Sequence, residues 1–152
     1  DYAAFLERRV PGRIGEGDFI DSSGKKIGRH RGVTRYTIGQ RRGIAVAFGK
    51  AMYVIGKNAR DNTVTLGEND ELLSSSLTAR DVNLISIEAL NAPMRVTAKI
   101  RYNQAEQGAV VVPGGDDRVR VDFDEPQRAI APGQAVVFFS GETVVGGGTI
   151  EG

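Results

Sequence analysis

From residue 118 to residue 123 the chain alternates strictly, with Arg118, Arg120 and Asp122 set against Val119, Val121 and Phe123. Period two is the mark of a strand with one wet and one buried face, because successive side chains of an extended backbone point to opposite sides. The same reading runs from residue 77 onward: 82–87, 94–102, 109–112, 134–139 and 143–145 are further short candidate strands. Gly114-Gly115-Asp116-Asp117 and Ser140-Gly141-Glu142 are hairpin-type turn sequences between them. Many short strands with regular turns predict a small barrel, which closes its edges rather than exposing them. Gly146, Gly147 and Gly148 are too glycine-rich for an ordinary strand and mark a close backbone crossing or a bulge.

Upstream the pattern is also sheet-rich. Tyr2, Phe5 and Leu6 suit one short helix over 1–10, stopped by Pro11-Gly12. Residues 14–20 and 25–28 read as two strands around Asp21-Ser22-Ser23-Gly24, a turn in which Asp and Ser bond nearby backbone and Gly accepts a positive φ. Residues 52–56 and 63–67 read as a second hairpin with its turn over 58–62. The polar, Ser-rich stretch 68–76, with one helical turn at 71–74, is expected to connect two domains. The expectation is therefore a mainly β protein of two small β-rich domains, residues 1–75 and 76–152, the second a β-barrel. With 152 residues the chain is long enough for one ordinary core or two small ones. No apolar run approaches the ~20 residues that span a bilayer, so no membrane partner is expected.

Charge is segregated. Residues 25–60 hold ten of the twenty Lys and Arg residues, no Asp or Glu, and the one histidine, His30. A segregated positive field of this size is the usual footprint of a polyanion site. The cations are interleaved with glycines, Tyr36, Thr37 and Gln40, without a helical repeat, which reads as a loop partly pinned by glycine. Tyr36 is placed either to stack a base or to pack inward. Thr37 and Gln40 are candidates for phosphates or base edges, and Arg41 and Arg42 for phosphates. A solvated Arg-rich face is the competing account.

Several other chemistries fail on spacing or composition. Between Gly43 and Gly49 lie five residues where a phosphate-binding loop has four, and Ala51 stands where Ser or Thr would meet Mg²⁺. With no cysteine, the chain has no disulfide, no cysteine zinc site and no thiol nucleophile. A metal on His30 would need carboxylates that the basic stretch lacks. No G-x-S-x-G is present to suggest a serine nucleophile. Asp122, Asp124 and Glu125 read as partners for Arg118, Arg120 or Arg128 or as a solvated run. No catalytic residue and no metal ligand is expected, and His30 is read as structural or RNA-contacting.

Gly28-x-His30-x-Gly32, followed by Tyr36-Thr37-Ile38-Gly39-Gln40-Arg41-x-Gly43, resembles the central-region motif of the tRNA-specific 2-thiouridylases. The resemblance continues in order through Met52-Tyr53-Val54, Lys99-Ile100-Arg101-Tyr102, Pro126-Gln127-Arg128-Ala129, Pro132-Gly133-Gln134 and Gly146-Gly147-Gly148, with Met52 where the family usually has Trp. It implies that Arg101, Tyr102 and Gln134 contact tRNA, beside the RNA-contact candidates His30, Tyr36, Gln40, Arg41 and Arg42. Asp1-Tyr2-Ala3-Ala4-Phe5-Leu6 resembles the segment shortly after the family's second catalytic cysteine. The chain is thus expected to be the C-terminal portion of a longer cytoplasmic enzyme, inactive by itself and with no cofactor of its own. In the full enzyme the resemblance implies ATP with Mg²⁺, activation of the wobble uridine at its C2 oxygen, attack by a cysteine persulfide, and a sulfur-relay donor protein. The alternative from another class is a protein-interaction or translation-factor-like barrel with no catalytic role.

Overall fold

The computed structural model describes residues 15–44 and 50–151. The helix expected over 1–10, its Pro11-Gly12 stop and most of the stretch between Gly43 and Lys50 lie outside the described residues. The chain divides into two compact units, Asp1–Leu72 and Leu73–Gly152.

Unit 1 is a four-stranded sheet built from two hairpins. Strands β1 (Gly17–Ile20) and β2 (Lys26–His30) pair antiparallel, as do β3 (Tyr53–Asn58) and β4 (Thr63–Gly67). The order is β2-β1-β4-β3, with β1 and β4 parallel. The first turn is held as its sequence dictates. Asp21 accepts backbone N–H bonds from Ser23 at 2.9 Å and Lys25 at 3.0 Å, and Gly24 sits at φ 89°. Phe19, Val54, Val64 and Leu66 are fully buried in its core. A short 3-10 turn, Val33–Arg35, follows β2 and adds Val33 to that core.

Unit 2 is a closed antiparallel barrel of six strands in the order β10-β5-β8-β7-β6-β9. These are β5 (Leu73–Leu84), β6 (Met94–Lys99), β7 (Gln107–Pro113), β8 (Val119–Arg128), β9 (Ala135–Ser140) and β10 (Thr143–Ile150). The alternation that predicted strands also fills the interior. Leu77 and Ala79, Val96 and Ala98, Ala109 and Val111, Val119 and Val121, Val136 and Phe138 all point into one core. The mainly β fold and the barrel are as the sequence implies.

Four details differ from expectation. The connection over 68–76 is cut short: a 3-10 turn covers Asn69–Leu72, and β5 begins at Leu73. Ser74 to Ser76 are strand because β8 supplies their backbone partners across a bulge, with the Ser74 hydroxyl bonded to the carbonyl of Ser76 at 3.0 Å. The strand expected over 82–87 is the tail of β5, which ends at Leu84. The strand expected over 94–102 stops at Lys99, so Arg101 and Tyr102 lie on the turn after it. Gly146 to Gly148 are strand and bulge at once: β10 shifts register against β9 between Val144 and Gly146 and against β5 between Gly147 and Thr149. A Cβ at Gly146 would run into the carbonyl of Asn83, and one at Gly147 would lie 2.6 Å from that of Val136. Glycine is there because the backbones close the barrel too tightly for a side chain.

Candidate nucleic-acid interface

In unit 1 the described part of the basic stretch between β2 and residue 42 is held by hydrogen bonds and ring contacts of its own. His30, 1% exposed, accepts the Gly32 N–H at Nδ1 (3.0 Å), which assigns the ring proton to Nε2, where it is donated to the carbonyl of Asn62 at 2.7 Å. Tyr36, 5% exposed, packs edge-on against Phe19 and His30 at centroid distances of 5.3 and 5.8 Å. Its hydroxyl accepts the Arg31 N–H at 3.1 Å, closing the loop on itself. The Lys57 ammonium donates to the Tyr36 carbonyl at 2.8 Å, and partial burial there pulls its pKa down. Gln40 accepts the Thr37 N–H at 3.0 Å and donates to the Arg42 carbonyl at 2.8 Å. Gly39 N–H and Gln40 C=O bond Val54 from both sides, stitching the loop to β3.

The sequence left two of these residues open, His30 as structural or RNA-contacting and Tyr36 as stacking or packed inward, and the geometry gives all three a place in the loop's own construction. His30 and Tyr36 are buried, and Gln40 has both ends of its amide engaged with the loop itself. Each of them helps to build the loop. Asn62, which the sequence reading missed, is the anchor. It adopts φ 56° at the end of the β3–β4 turn, donates to the carbonyls of Gly15 and Glu16, and receives the His30 proton. Its signal was an Asn in a turn, which is too common to single out.

What the loop does present is charge. Arg31, Arg41 and Arg42 are exposed, and no acid among the described residues pairs with them. Lys26 and Arg29 instead share Asp18 at 3.3 and 2.9 Å, and Lys50 pairs with Glu68 at 2.9 Å. The Arg29 and Lys26 bonds hold the Asp18 carboxyl below its ordinary pKa, and Glu68 raises that of Lys50.

In unit 2 the turn after β6 and the start of β9 border a cavity of about 640 Å³. Arg101, Tyr102 and Gln134 all line it, together with Lys99, Asn103 and the outward side of β9. Tyr102 is 98% exposed, so it belongs to no core. Arg101 is partly structural: its Nη2 donates to the carbonyls of Arg128 and Ala129, both at 2.6 Å, and steadies Ala129 at φ 58°. Gln134 follows Gly133, whose φ of 86° is that of the turn its Pro-Gly sequence calls for. Two members of the acidic run are committed to arginines. Asp122 pairs with Arg120 at 3.0 Å and Asp124 with Arg95, and each partner lowers the carboxyl pKa. Arg118 pairs with Glu151 at 3.2 Å. Among the described residues no group of three or more His, Asp or Glu is placed to hold a metal, and no helix is long and apolar enough to cross a membrane.

A two-unit β protein with a cationic loop on one unit and an aromatic-lipped cavity on the other is the class that fold and site define. Residues 3–68 match the family model described as the tRNA methyl transferase PRC-barrel domain, and residues 74–150 the one described as the aminomethyltransferase beta-barrel domain. Among curated relatives, the tRNA-specific 2-thiouridylase MnmA of Acetivibrio thermocellus is 52% identical over 151 residues. Those of Clostridioides difficile and of Clostridium botulinum (strain Loch Maree) are 48% and 47% identical. Each alignment covers 99% of this chain and 42% of the relative, so the chain spans about two fifths of their length, the C-terminal part. The chain belongs to the tRNA-specific 2-thiouridylase family.

Proposed function

We propose that this chain is the tRNA-holding region of an enzyme that puts sulfur on a tRNA uridine. The observation that carries the reading is the occurrence of two surfaces on one thiouridylase-like chain: three exposed arginines without acid partners among the described residues, and a Tyr102 that is 98% exposed beside Lys99, Arg101 and Gln134. Arginine on phosphate and an aromatic ring on a base are the two contacts by which proteins hold RNA. The family-model descriptions speak of methyl and aminomethyl transfer. The thiouridylase relatives align through both units at once, and for that reason thiolation is preferred.

The residues present do not fit the rest of the reaction. Sulfur transfer through a persulfide needs a cysteine thiolate, and there is none. Nor does the sequence 43–51 fit a phosphate-binding loop. ATP with Mg²⁺, the cysteines and the docking of a sulfur-relay donor protein would belong to other parts of such a cytoplasmic enzyme. This chain would bind tRNA and orient it, through the loop of unit 1 and the Arg101, Tyr102 and Gln134 cavity of unit 2.

The test uses the 152-residue chain as it stands. It should bind unmodified tRNA with an affinity that falls linearly in log–log with salt, as counterion release requires, and should give no thiolated tRNA with ATP and a sulfur donor. Binding that ignores salt, or is absent, refutes the holding role; thiolation refutes the division of labour.

A further inference from the structure

We propose that the end of the barrel formed by residues 84–90 and the β7–β8 hairpin docks a partner protein, through a segment that carries an apolar side chain among lysines and arginines. The proposal does not depend on the tRNA-holding reading, because it concerns the opposite end of unit 2 from the turn after β6.

Strand register fixes the position. β6 starts at Met94, near its pair with Val111, and β7 runs on from there to Pro113, opposite Val119. The β7–β8 hairpin therefore stands at the end where β6 begins, whereas Lys99 lies where β6 stops. The hairpin tip is held from within. The Gly114 N–H donates to the Arg118 carbonyl at 3.0 Å, and the Arg118 N–H to that of Gly115 at 2.9 Å. It is also tied to its surroundings. The Val82 N–H donates to the Asp117 carbonyl at 2.9 Å, and the Ile85 N–H to that of Val145 at 2.8 Å. A surface already held in place loses little freedom when a partner docks on it.

The first observation is apolar. Connections between strands run over the surface, where polar residues are the rule. Here four of the six residues 85–90 are apolar: Ile85, Ile87, Ala89 and Leu90. Ile87 and Leu90 pack against the barrel core, while Ile85 stays 64% exposed. A lone exposed isoleucine is ordinary. This one follows Leu84, which lines a cavity of about 360 Å³ together with Leu90, Pro113 and Val119. A small molecule held in that cavity would leave Ile85 in water, whereas a protein surface can fill the one and cover the other. An apolar centre with a charged rim is the anatomy of a protein interface.

The rim supplies the second observation. Glu88 and Asp117 line the same cavity, and Asp116 is exposed beside Asp117 in the chain. None of these three carboxylates pairs with a Lys or Arg among the described residues. By contrast Asp81, Asp122 and Asp124 each face an arginine. The cation that lines the cavity, Arg118, is taken up by Glu151 at 3.2 Å. The rim thus keeps uncompensated negative charge, which attracts a cationic partner and repels RNA. Asp117 adopts φ 51°, a backbone that Asn adopts as readily, so the turn calls for a short polar side chain but not for its charge.

The test uses the 152-residue chain and three synthetic peptides: one of lysine and leucine with the leucines at helical spacing, the same peptide with glutamate for lysine, and the same with serine for leucine. The variants are Ile85→Ser and the pair Glu88→Gln with Asp117→Asn, each checked by thermal melt. All three positions are exposed, so the melts should stay as they were. The parent chain should bind the lysine–leucine peptide only, with amide shift changes gathered at 84–90 and 113–119. Ile85→Ser should lower that affinity by roughly 5- to 30-fold, the range of a truncated interface anchor. The charge pair should lower it too and should flatten its dependence on salt. Affinity for tRNA should not fall in either variant. No peptide binding, equal binding of the glutamate or serine peptide, or shift changes elsewhere overturns the dock. Loss of tRNA affinity in both variants would assign this end to RNA, and loss of self-association in sedimentation would assign it to a second copy of the chain; either result also overturns the dock.

Discussion

Tyr36→Phe isolates one atom of the loop's construction. The substitution keeps the ring, and with it the edge-on contacts to Phe19 at 5.3 Å and His30 at 5.8 Å. It also keeps the burial that makes Tyr36 part of the core. What it removes is the oxygen that accepts the Arg31 N–H at 3.1 Å. Arg31 is an exposed residue, so water can take up part of the missing bond, and the cost falls in the ordinary net range of about 0.5–1.5 kcal/mol rather than the higher cost of a dry orphan. For a unit of this size that lowers Tm by a few degrees. Tyr36→Ala would remove the ring as well, at about 3–5 kcal/mol, and would confuse folding with function. Loosening the 31–36 turn means that RNA binding must re-order it, so affinity should fall by the same free energy, roughly 2- to 12-fold. No charge is changed, so the slope of log affinity against log salt should stay as it was. Amide exchange gives the direct reading, since the Arg31 N–H should exchange faster by a similar factor. Unchanged exchange at Arg31 together with unchanged RNA affinity would refute the claim that this bond holds the loop. A salt slope shallower by about one unit would show instead that the hydroxyl region lies on a phosphate.

Arg41→Ala with Arg42→Ala should weaken all structured RNA and flatten the salt slope by about one unit for each phosphate that is no longer neutralised, with an unchanged melt; a constant slope would show that neither arginine meets phosphate. Gly147→Val should destabilise unit 2 by about 1–3 kcal/mol, because a Cβ there lies 2.6 Å from the Val136 carbonyl; an unchanged melt would mean that the strands can part at no cost. Asp18 is held below its ordinary pKa of 3.8 by Arg29 and Lys26, so its contribution is present above that value and is lost as pH falls through the lowered folded pKa. Asp18→Asn should therefore shallow the acid limb of the stability curve and leave its shape near neutrality alone, as read by melts across pH.

The parts of the fold that were legible are those fixed within a few residues. Asp21 to Gly24 made a turn because Asp21 needs only its neighbours to form it. Arg118 to Phe123 made a strand because its alternation states which side is dry. Strand ends were less legible, since pairing decides them. Nothing within Leu73 to Ser76 announces a strand; β8 makes it one. The three glycines of β10 read as a bulge or a crossing, and only barrel closure makes them both. In the site, the gathering of Arg101, Tyr102 and Gln134 around one cavity depends on how β6 and β9 pair, with Lys99 opposite Val137, which the sequence does not state. The outward placement of Val137 and Phe139 was hidden for a related reason. Ala135 to Phe139 is apolar throughout, so period two leaves no mark on it.

The basic loop reverses the usual inference from motif to contact. Its most distinctive polar residues, His30, Tyr36 and Gln40, are the ones whose polar atoms the protein already holds. A histidine bonded at both ring nitrogens has nothing left to offer a phosphate, and a buried tyrosine closed on a backbone N–H and a glutamine bonded at both ends of its amide are tied first to the loop. Those bonds demand particular atoms at particular distances, which is why a spaced motif results. The arginines around them need only be exposed and cationic, and such a requirement tolerates many positions. If this is right, Gln40→Glu should loosen the loop, because the Arg42 carbonyl then faces a carboxylate oxygen where it had a donor. Arg41→Lys should leave both fold and salt slope in place. Equal effects from the two changes, read by amide exchange at Thr37 and by tRNA affinity across salt, would return Gln40 to the RNA-contacting role that its sequence suggests.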